Sequence, residues 1–197
     1  MNGVAHRKSP GRAMTLPITT ARLVLREFVP SDYDAIHAYA SDPRVTRHML
    51  YGPRDPTDTR EYLERVIRYQ RDNPRSVWEL AITQHADGQL IGAGDITILK
   101  PGEGDVGYML RHESWGQGYG TEAAHALIDA GFDALGLERI MSTVSTDNPR
   151  SMRVLENAGL RWEALYRRFA QAKGRWWDCH LYAISRAEWE LIRGPRT

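Results

Sequence analysis

The residues with the plainest chemical purpose are Trp115-Gly116-Gln117-Gly118-Tyr119-Gly120-Thr121, which put three glycines at alternate positions between an apolar stretch and an amphipathic one. The first turn of a helix leaves backbone N–H groups unpaired. Aligned peptide dipoles add about half a positive charge at that end. Glycines let an anion approach such a backbone, so this segment can hold a pyrophosphate. Two common phosphate motifs fit it poorly. A P-loop carries Lys after its last glycine, where this chain has Thr121, and the dinucleotide fingerprint is G-x-G-x-x-G in an early βαβ unit, whereas the spacing here is G-x-G-x-G, late in the chain. Cys179-His180 looks like a metal pair, but adjacent strand residues point to opposite faces. No second cysteine exists and no histidine pair has ligand spacing, so no metal is expected.

The elements that must position this loop follow from periodicity. Arg22–Phe28 reads as a strand with Leu23, Leu25 and Phe28 inward. Pro30-Ser31-Asp32 opens a helix through Ala40, which Ser41-Asp42-Pro43 ends; Asp55–Asp58 opens a second, striped by Tyr62, Leu63, Val66, Ile67 and Tyr69, that stops at Asn73-Pro74. Three strands come next: Val77–Ile82, then Leu90–Leu99 after an Asp87-Gly88 turn and irregular at its glycines, then Val106–Leu110. A helix from about Thr121 to Leu135 buries Ala123, Ala124, Leu127, Ile128 and Phe132. Strand Arg139–Val144, a short helix from about Ser151 to Ala158 after Asn148-Pro149, and strands Trp162–Phe169 and Trp177–Ile184 around Gly174 complete the chain. This order predicts an α+β fold with a mixed, mainly antiparallel sheet flanked by helices, not a doubly wound parallel sheet.

At 197 residues the chain has room for one domain, expected over residues 16–193 behind a mobile basic tail, Met1–Thr15, with Gly194–Thr197 a frayed end. A net charge of +1 gives no field of one sign, so no nucleic-acid partner is expected. No segment approaches the roughly 18 apolar residues that span a bilayer, and the basic N-terminus lacks an apolar core for a secretory signal. With one cysteine, no intramolecular disulfide can form, which fits a cytoplasmic location.

Trp-Gly-Gln-Gly-Tyr-Gly-Thr-Glu-Ala, residues 115–123, resembles the coenzyme A motif of the GNAT superfamily of N-acetyltransferases, [Arg/Gln]-x-x-Gly-x-[Gly/Ala], with Trp115 in the Arg/Gln place. The form is that of the RimJ/RimL-type branch, which acetylates ribosomal-protein N-termini. The resemblance runs from about Leu16 to Trp189 and includes Thr20–Arg26 and Asn148-Pro149-Arg150-Ser151-Met152. It implies acetyl-CoA as co-substrate, held in a wedge between two splayed strands, Val106–Leu110 and Arg139–Val144. The pantetheine arm would bond to backbone near Met109 and Leu110, the pyrophosphate to N–H groups of Gln117, Gly118, Tyr119, Gly120 and Thr121, and Asn148 would contact the arm. Glu122 is awkward in this picture, because a carboxylate in the first helical turn repels phosphate unless it faces away.

Acyl transfer to an amine needs a base for the nitrogen's proton, donors for the carbonyl oxygen and a donor for the leaving thiolate. Some peptide-acetylating relatives carry a Glu five residues before the Asn and a Tyr seven after it; here those places hold Thr143 and Leu155. Ser151, one helical turn before Leu155, can reach the same sulfur, and the RimJ/RimL-type branch has Ser there. Ser151 can equally be a helix N-cap. For the base, Asp105 ranks first because it shares a strand face with Gly107 and Met109; Glu103, Glu113 and Asp178 are the other candidates. Trp162 and Trp189 read as packing residues, and Arg150, Arg153, Arg167, Arg168 and Lys173 as a solvated basic surface. The expected acceptor is a primary amine, a peptide N-terminus ahead of a small amine or antibiotic. A non-catalytic acyl-CoA-binding module is the rival, and acceptor specificity is expected in Arg44–Asp58 and Phe169–Asp178. The expected assembly is a monomer or homodimer.

Overall fold

In the computed structural model, which describes residues 14–194, the chain runs β1 (Ile18–Thr19), β2 (Leu23–Glu27), α1 (Tyr33–Ala40), α2 (Pro43–Thr46), α3 (Pro56–Tyr69), β3 (Val77–Gln84), β4 (Leu90–Lys100), β5 (Glu103–Leu110), α4 (Tyr119–Asp133), β6 (Arg139–Ser145), α5 (Pro149–Asn157), β7 (Arg161–Ala172), β8 (Arg175–Ser185) and α6 (Arg186–Arg193). The expected tail lies outside the described residues as far as position 13, and of the expected frayed end only Gly194 lies within them.

All eight strands join one sheet in the order β1-β2-β3-β4-β5-β6-β8-β7. Every neighbouring pair is antiparallel except β5–β6, which is parallel. This is the mixed, mainly antiparallel architecture expected from the order of elements. Both faces of the sheet are covered, and strand alternation sorts the side chains between two cores. Leu23 and Leu25 join Ile82, Ile96, Leu127, Ile128 and Phe132 beneath α4. Phe28, of opposite parity, joins Ile36, Tyr62, Leu63, Val66, Ala93 and Met109 beneath α1 and α3.

Several local expectations need correction. Ser41-Asp42-Pro43 ends α1 at Ala40 as expected, but a short helix that was not foreseen follows at once, because the Asp42 carboxylate accepts from the backbone N–H of Arg44 and caps α2. The irregularities in β4 are register shifts beside Gly92 and near Leu99, and the strand runs through Gly94 without a break. Helix α6 was not foreseen. Ser185 and Glu188 form its capping box, and it seats Trp189 against Phe132 with ring centroids 4.9 Å apart. Trp189 is therefore a packing residue, but Trp162 is 55% exposed on the edge strand β7 and packs into no core.

Candidate active site

The wedge between β5 and β6 is visible in the pairing. The two strands pair only at Glu103–Arg139, Gly104–Ile140 and Asp105–Met141, although β5 continues to Leu110 and β6 to Ser145. Beyond Asp105 the facing edges are open. The ladder decides which backbone groups face the gap. Arg111 N–H donates to Ile91 O at 2.8 Å, so odd residues of β5 turn their N–H and C=O toward β4. Met109, where a backbone contact was expected, therefore turns its N–H and C=O toward β4, and the backbone groups that face the gap are those of Tyr108 and Leu110. The carbonyl of Leu110 already accepts from the Trp115 indole N–H at 2.9 Å, which leaves the N–H of Leu110 for a ligand.

The glycine loop delivers the helix end that its spacing predicts, two residues early. Helix α4 starts at Tyr119, with Gly118 as N-cap at φ 81° and no side-chain cap. The N–H groups of Gly118, Tyr119, Gly120 and Thr121 come before the first intrahelical bond, Glu122 N–H to Gly118 O at 3.1 Å. Gly118 must stay glycine-like because its φ lies in the left-handed region. Gly120 is kept small for a different reason: a Cβ there would stand 3.1 Å from the Tyr108 ring and 3.5 Å from Val154. Uncapped donors, a positive φ and close approach to β5 together form a cradle that suits a pyrophosphate. The side chains of the loop are otherwise engaged. Gln117 donates to Glu113 O at 2.9 Å, and the Tyr119 hydroxyl accepts from Gln84 at 2.8 Å.

Glu122 does face away from the cradle. Its carboxylate accepts from Thr20 Oγ1 at 2.6 Å, from the Arg22 backbone N–H at 2.8 Å and from Arg22 Nε at 2.7 Å. Burial alone would raise its pKa, but the hydrogen bonds from Thr20 and Arg22 outweigh burial and hold the carboxyl below its ordinary value.

Ser151 is not the helix cap. Asn148 is the N-cap of α5, its Oδ1 accepting from Ser151 N–H at 3.2 Å, and Pro149 occupies the first helical position. The Ser151 hydroxyl is thereby free to meet the Tyr108 hydroxyl at 3.1 Å. Helix α5 begins two residues earlier than expected, and Leu155 is buried in the core at 1% exposure. Tyr108 is the functional candidate that the sequence reading missed. It sits in an apolar strand pattern, and only the approach of α5 to β5 gives its hydroxyl a partner. Burial pushes its pKa up to about 12, against the lowering effect of Ser151, so it remains a neutral hydrogen-bond donor.

On the opposite face of the sheet, beneath α1 and α3, lie the carboxylates. Glu79 pairs with Asp95 and Asp95 with Gly107 across three strands, and Asp105 stands two residues along β5 on the same face. Gly107 makes room for this row, since a Cβ there would come within 2.5 Å of Asp95 Oδ1. Asp95 and Asp105 are half-buried and have neither ion pair nor hydrogen bond among the described residues. Burial pushes Asp105 up to about 6. Burial, then the charges of Glu79 and Asp105, push Asp95 up to about 8. Asp95 is a second site candidate that strand parity alone did not single out. The other expected base candidates are spent elsewhere: Glu103 pairs with Lys100, Glu113 with Arg44, and Asp178 accepts from Arg168 N–H.

The two segments expected to carry acceptor specificity do meet. Lys173, at the tip of the β7–β8 hairpin, donates to Thr46 O at the end of α2 at 2.8 Å. It is exposed, as expected of a basic surface residue, and it also ties the two segments together. From the α2–α3 connection, Tyr51 donates to Met109 Sδ at 3.7 Å and Arg54 lies 3.8 Å over the Tyr62 ring, which roofs the carboxylate row.

Comparison with known proteins places this geometry. Residues 22–161 match the family model described as an acetyltransferase (GNAT) domain. The uncharacterized N-acetyltransferase YnaD of Bacillus subtilis (strain 168) is 31% identical over 175 residues, covering 87% of this chain and 98% of that protein. The crystal structure of a GNAT-family acetyltransferase from Bacillus anthracis superposes with a TM-score of 0.77 at 26% identity, covering 86% of this chain and 98% of that one. Two coenzyme A complexes share the fold. Spermidine N-acetyltransferase from Vibrio cholerae, bound to CoA and spermine, has a TM-score of 0.74 at 18% identity, covering 86% of this chain and 99% of that one. RimL, the ribosomal L7/L12 α-N-protein acetyltransferase, has a TM-score of 0.75 at 19% identity, covering 86% of this chain and 97% of that one. With an open parallel strand pair leading to an uncapped glycine helix, and a family match over most of the described residues, the chain belongs to the GNAT acetyltransferase family and is an acyltransferase.

Proposed function

We propose that the chain transfers an acetyl group from acetyl-CoA to a primary amine, and that its acceptor is a peptide or protein N-terminus. The observation that carries the reading is the wedge. Its gap opens after Asp105–Met141, its floor offers backbone N–H groups of Tyr108 and Leu110, and its outer end meets the uncapped start of α4. Gln117, Gly118, Tyr119, Gly120 and Thr121 hold the pyrophosphate. Leu110 and the amide group of Asn148 hold the pantetheine arm, and the thioester carbonyl lies against the wedge backbone.

The amine enters from the carboxylate face. Its nitrogen attacks the thioester carbonyl, the C–N bond forms and the C–S bond breaks. Asp105 takes the nitrogen's proton, directly or through water. With a pKa near 6 it is mostly ionised at pH 7 and close enough to neutrality to act as a base. The departing thiolate is stabilised by Ser151, with Tyr108 behind it at 3.1 Å. The preference for an α-amine rests on the Trp-Gly-Gln-Gly-Tyr-Gly-Thr-Glu-Ala form of the loop and on the shared fold of RimL. A small cationic amine is the second reading. Asp105, unpaired on the acceptor face and mostly ionised at pH 7, favours a cation, and the spermidine acetyltransferase shares the fold. We place the reaction in the cytoplasm, with the single cysteine as support.

A thiol-release assay over peptides, polyamines and antibiotics, with mass spectrometry of the products, tests the assignment. An acetyl group on a peptide α-amine supports it. Transfer to polyamines alone moves the assignment to the second reading, and transfer only to hydroxyls overturns both.

A further inference from the structure

Three features near the cofactor loop have no place in the chemistry above. The first is Glu122, a carboxylate one turn from the N–H groups that would hold two phosphates. The second is the opening segment Thr20-Ala21-Arg22, whose residues neither line the wedge nor touch the acceptor face. The third is an open groove of about 570 Å³ beside the helix start, lined by Thr20, Arg22, Gly118, Thr121, Glu122 and His125. The contacts join all three. Arg22 Nε meets Glu122 Oε2 at 2.7 Å, while Nη1 of the same guanidinium donates to the carbonyl of loop residue Gln117 at 2.8 Å. Its central carbon lies 4.6 Å over the ring of Tyr119, the first residue of α4. Nη2, which has no hydrogen bond among the described residues, reaches the start of the helix, 3.3 Å from where a Gly118 Cβ would stand.

We infer that Arg22 is a positioning residue of the acetyl-CoA site: it cancels the charge of Glu122 and turns that carboxylate away, so that the start of α4 presents positive potential to the pyrophosphate. The inference rests on the acetyl-CoA reading of the wedge. The alternative is that the Arg22–Glu122 pair only ties the opening strand to α4. The two differ in what happens when both charges are removed together. A free carboxylate one turn from a pyrophosphate repels it, and the repulsion grows as salt falls. A glutamine at 122 keeps an oxygen for Thr20 and the Arg22 backbone but carries no charge.

The test is calorimetric titration of acetyl-CoA into the wild-type chain and into R22Q, E122Q, R22Q/E122Q and R22K, at low and at physiological salt, with circular dichroism as the check on folding. R22Q should bind roughly tenfold more weakly, with the deficit larger at low salt. E122Q, R22Q/E122Q and R22K should all stay within about threefold of wild type. In turnover, R22Q should raise KM for acetyl-CoA and leave kcat and the acceptor KM unchanged. Wild-type affinity in folded R22Q overturns the inference, as does a double variant as weak as R22Q. Should R22Q not fold, R22K and R22Q/E122Q decide, because both keep the local charge balanced, and a tenfold loss in either overturns it. A wild-type chain that fails to bind acetyl-CoA defeats the underlying reading instead.

Discussion

Replacing Ser151 by alanine separates two roles that one hydroxyl can play. A capping serine supports about 1 kcal/mol of stability, which in a domain of this size corresponds to a fall of roughly 2–4 °C in melting temperature. Here the cap is Asn148, whose Oδ1 takes the Ser151 N–H at 3.2 Å, and the backbone N–H survives the substitution. Ser151→Ala should therefore cost little stability. It removes only the 3.1 Å contact with Tyr108. Its effect should appear in turnover. A thiolate with a solution pKa of about 8.5 leaves tolerably at neutral pH, so donor assistance falls at the lower end of the usual range, about 10²-fold in kcat. Tyr108→Phe should produce a smaller fall, because Tyr108 acts through Ser151. The double variant should be no worse than about the Ser151→Ala single, since both act along one hydrogen-bonded path. Asn148→Ala should show the complementary pattern, a melting temperature lower by roughly 2–4 °C. The assays are steady-state thiol release at saturating acetyl-CoA and thermal unfolding followed by circular dichroism. Full kcat in Ser151→Ala, or a melting-temperature loss in it equal to that of Asn148→Ala, refutes the reasoning.

Gly118→Glu places a charged side chain at φ 81° in the pyrophosphate cradle, so calorimetry should find acetyl-CoA binding lost, with the fold kept at a backbone cost of roughly 1–3 kcal/mol; unchanged affinity in a folded variant removes the cradle from the cofactor site. Asp105, pushed up to about 6 by burial, should give kcat/KM a falling acid limb below about pH 6, and Asp105→Asn should lose both the limb and most of the activity, whereas a limb that persists in this variant excludes Asp105 as the base. Asp95 has its carboxyl raised from 3.8 to about 8, so between these values the folded state binds more protons than the unfolded state and stability falls as pH rises through that window. Asp95→Asn should therefore raise the melting temperature more at pH 8 than at pH 4.5, and an equal shift at both values shows that the carboxyl is not held neutral by the fold.

The sequence by itself determined much of this. Hydrophobic periodicity located most of the helices and strands, because burying one stripe or one alternating face leaves a local record. Glycines 116, 118 and 120 announced the uncapped helix start for the same kind of reason: a left-handed φ and a crowded first turn each restrict the residue type at its own position. The order of elements was enough to exclude a doubly wound sheet. Tertiary structure decided everything that depends on two distant segments meeting. Tyr108 became a site candidate only when α5 brought Ser151 to it, across 43 residues of chain. Ser151 lost the role of cap because α5 begins at Pro149, a boundary set by the Asn148 side chain and not by the apolar stripe. Met109 gave way to Tyr108 because the hydrogen-bond phase of the β4–β5 ladder, which no side-chain pattern encodes, turns its backbone toward β4. Asp95 and Asp105 look like ordinary strand carboxylates in one dimension. They became a coupled, unpaired row because the sheet sets three strands side by side beneath α1 and α3, where burial raises both pKa values and no cation of the chain reaches either carboxylate to form an ion pair among the described residues.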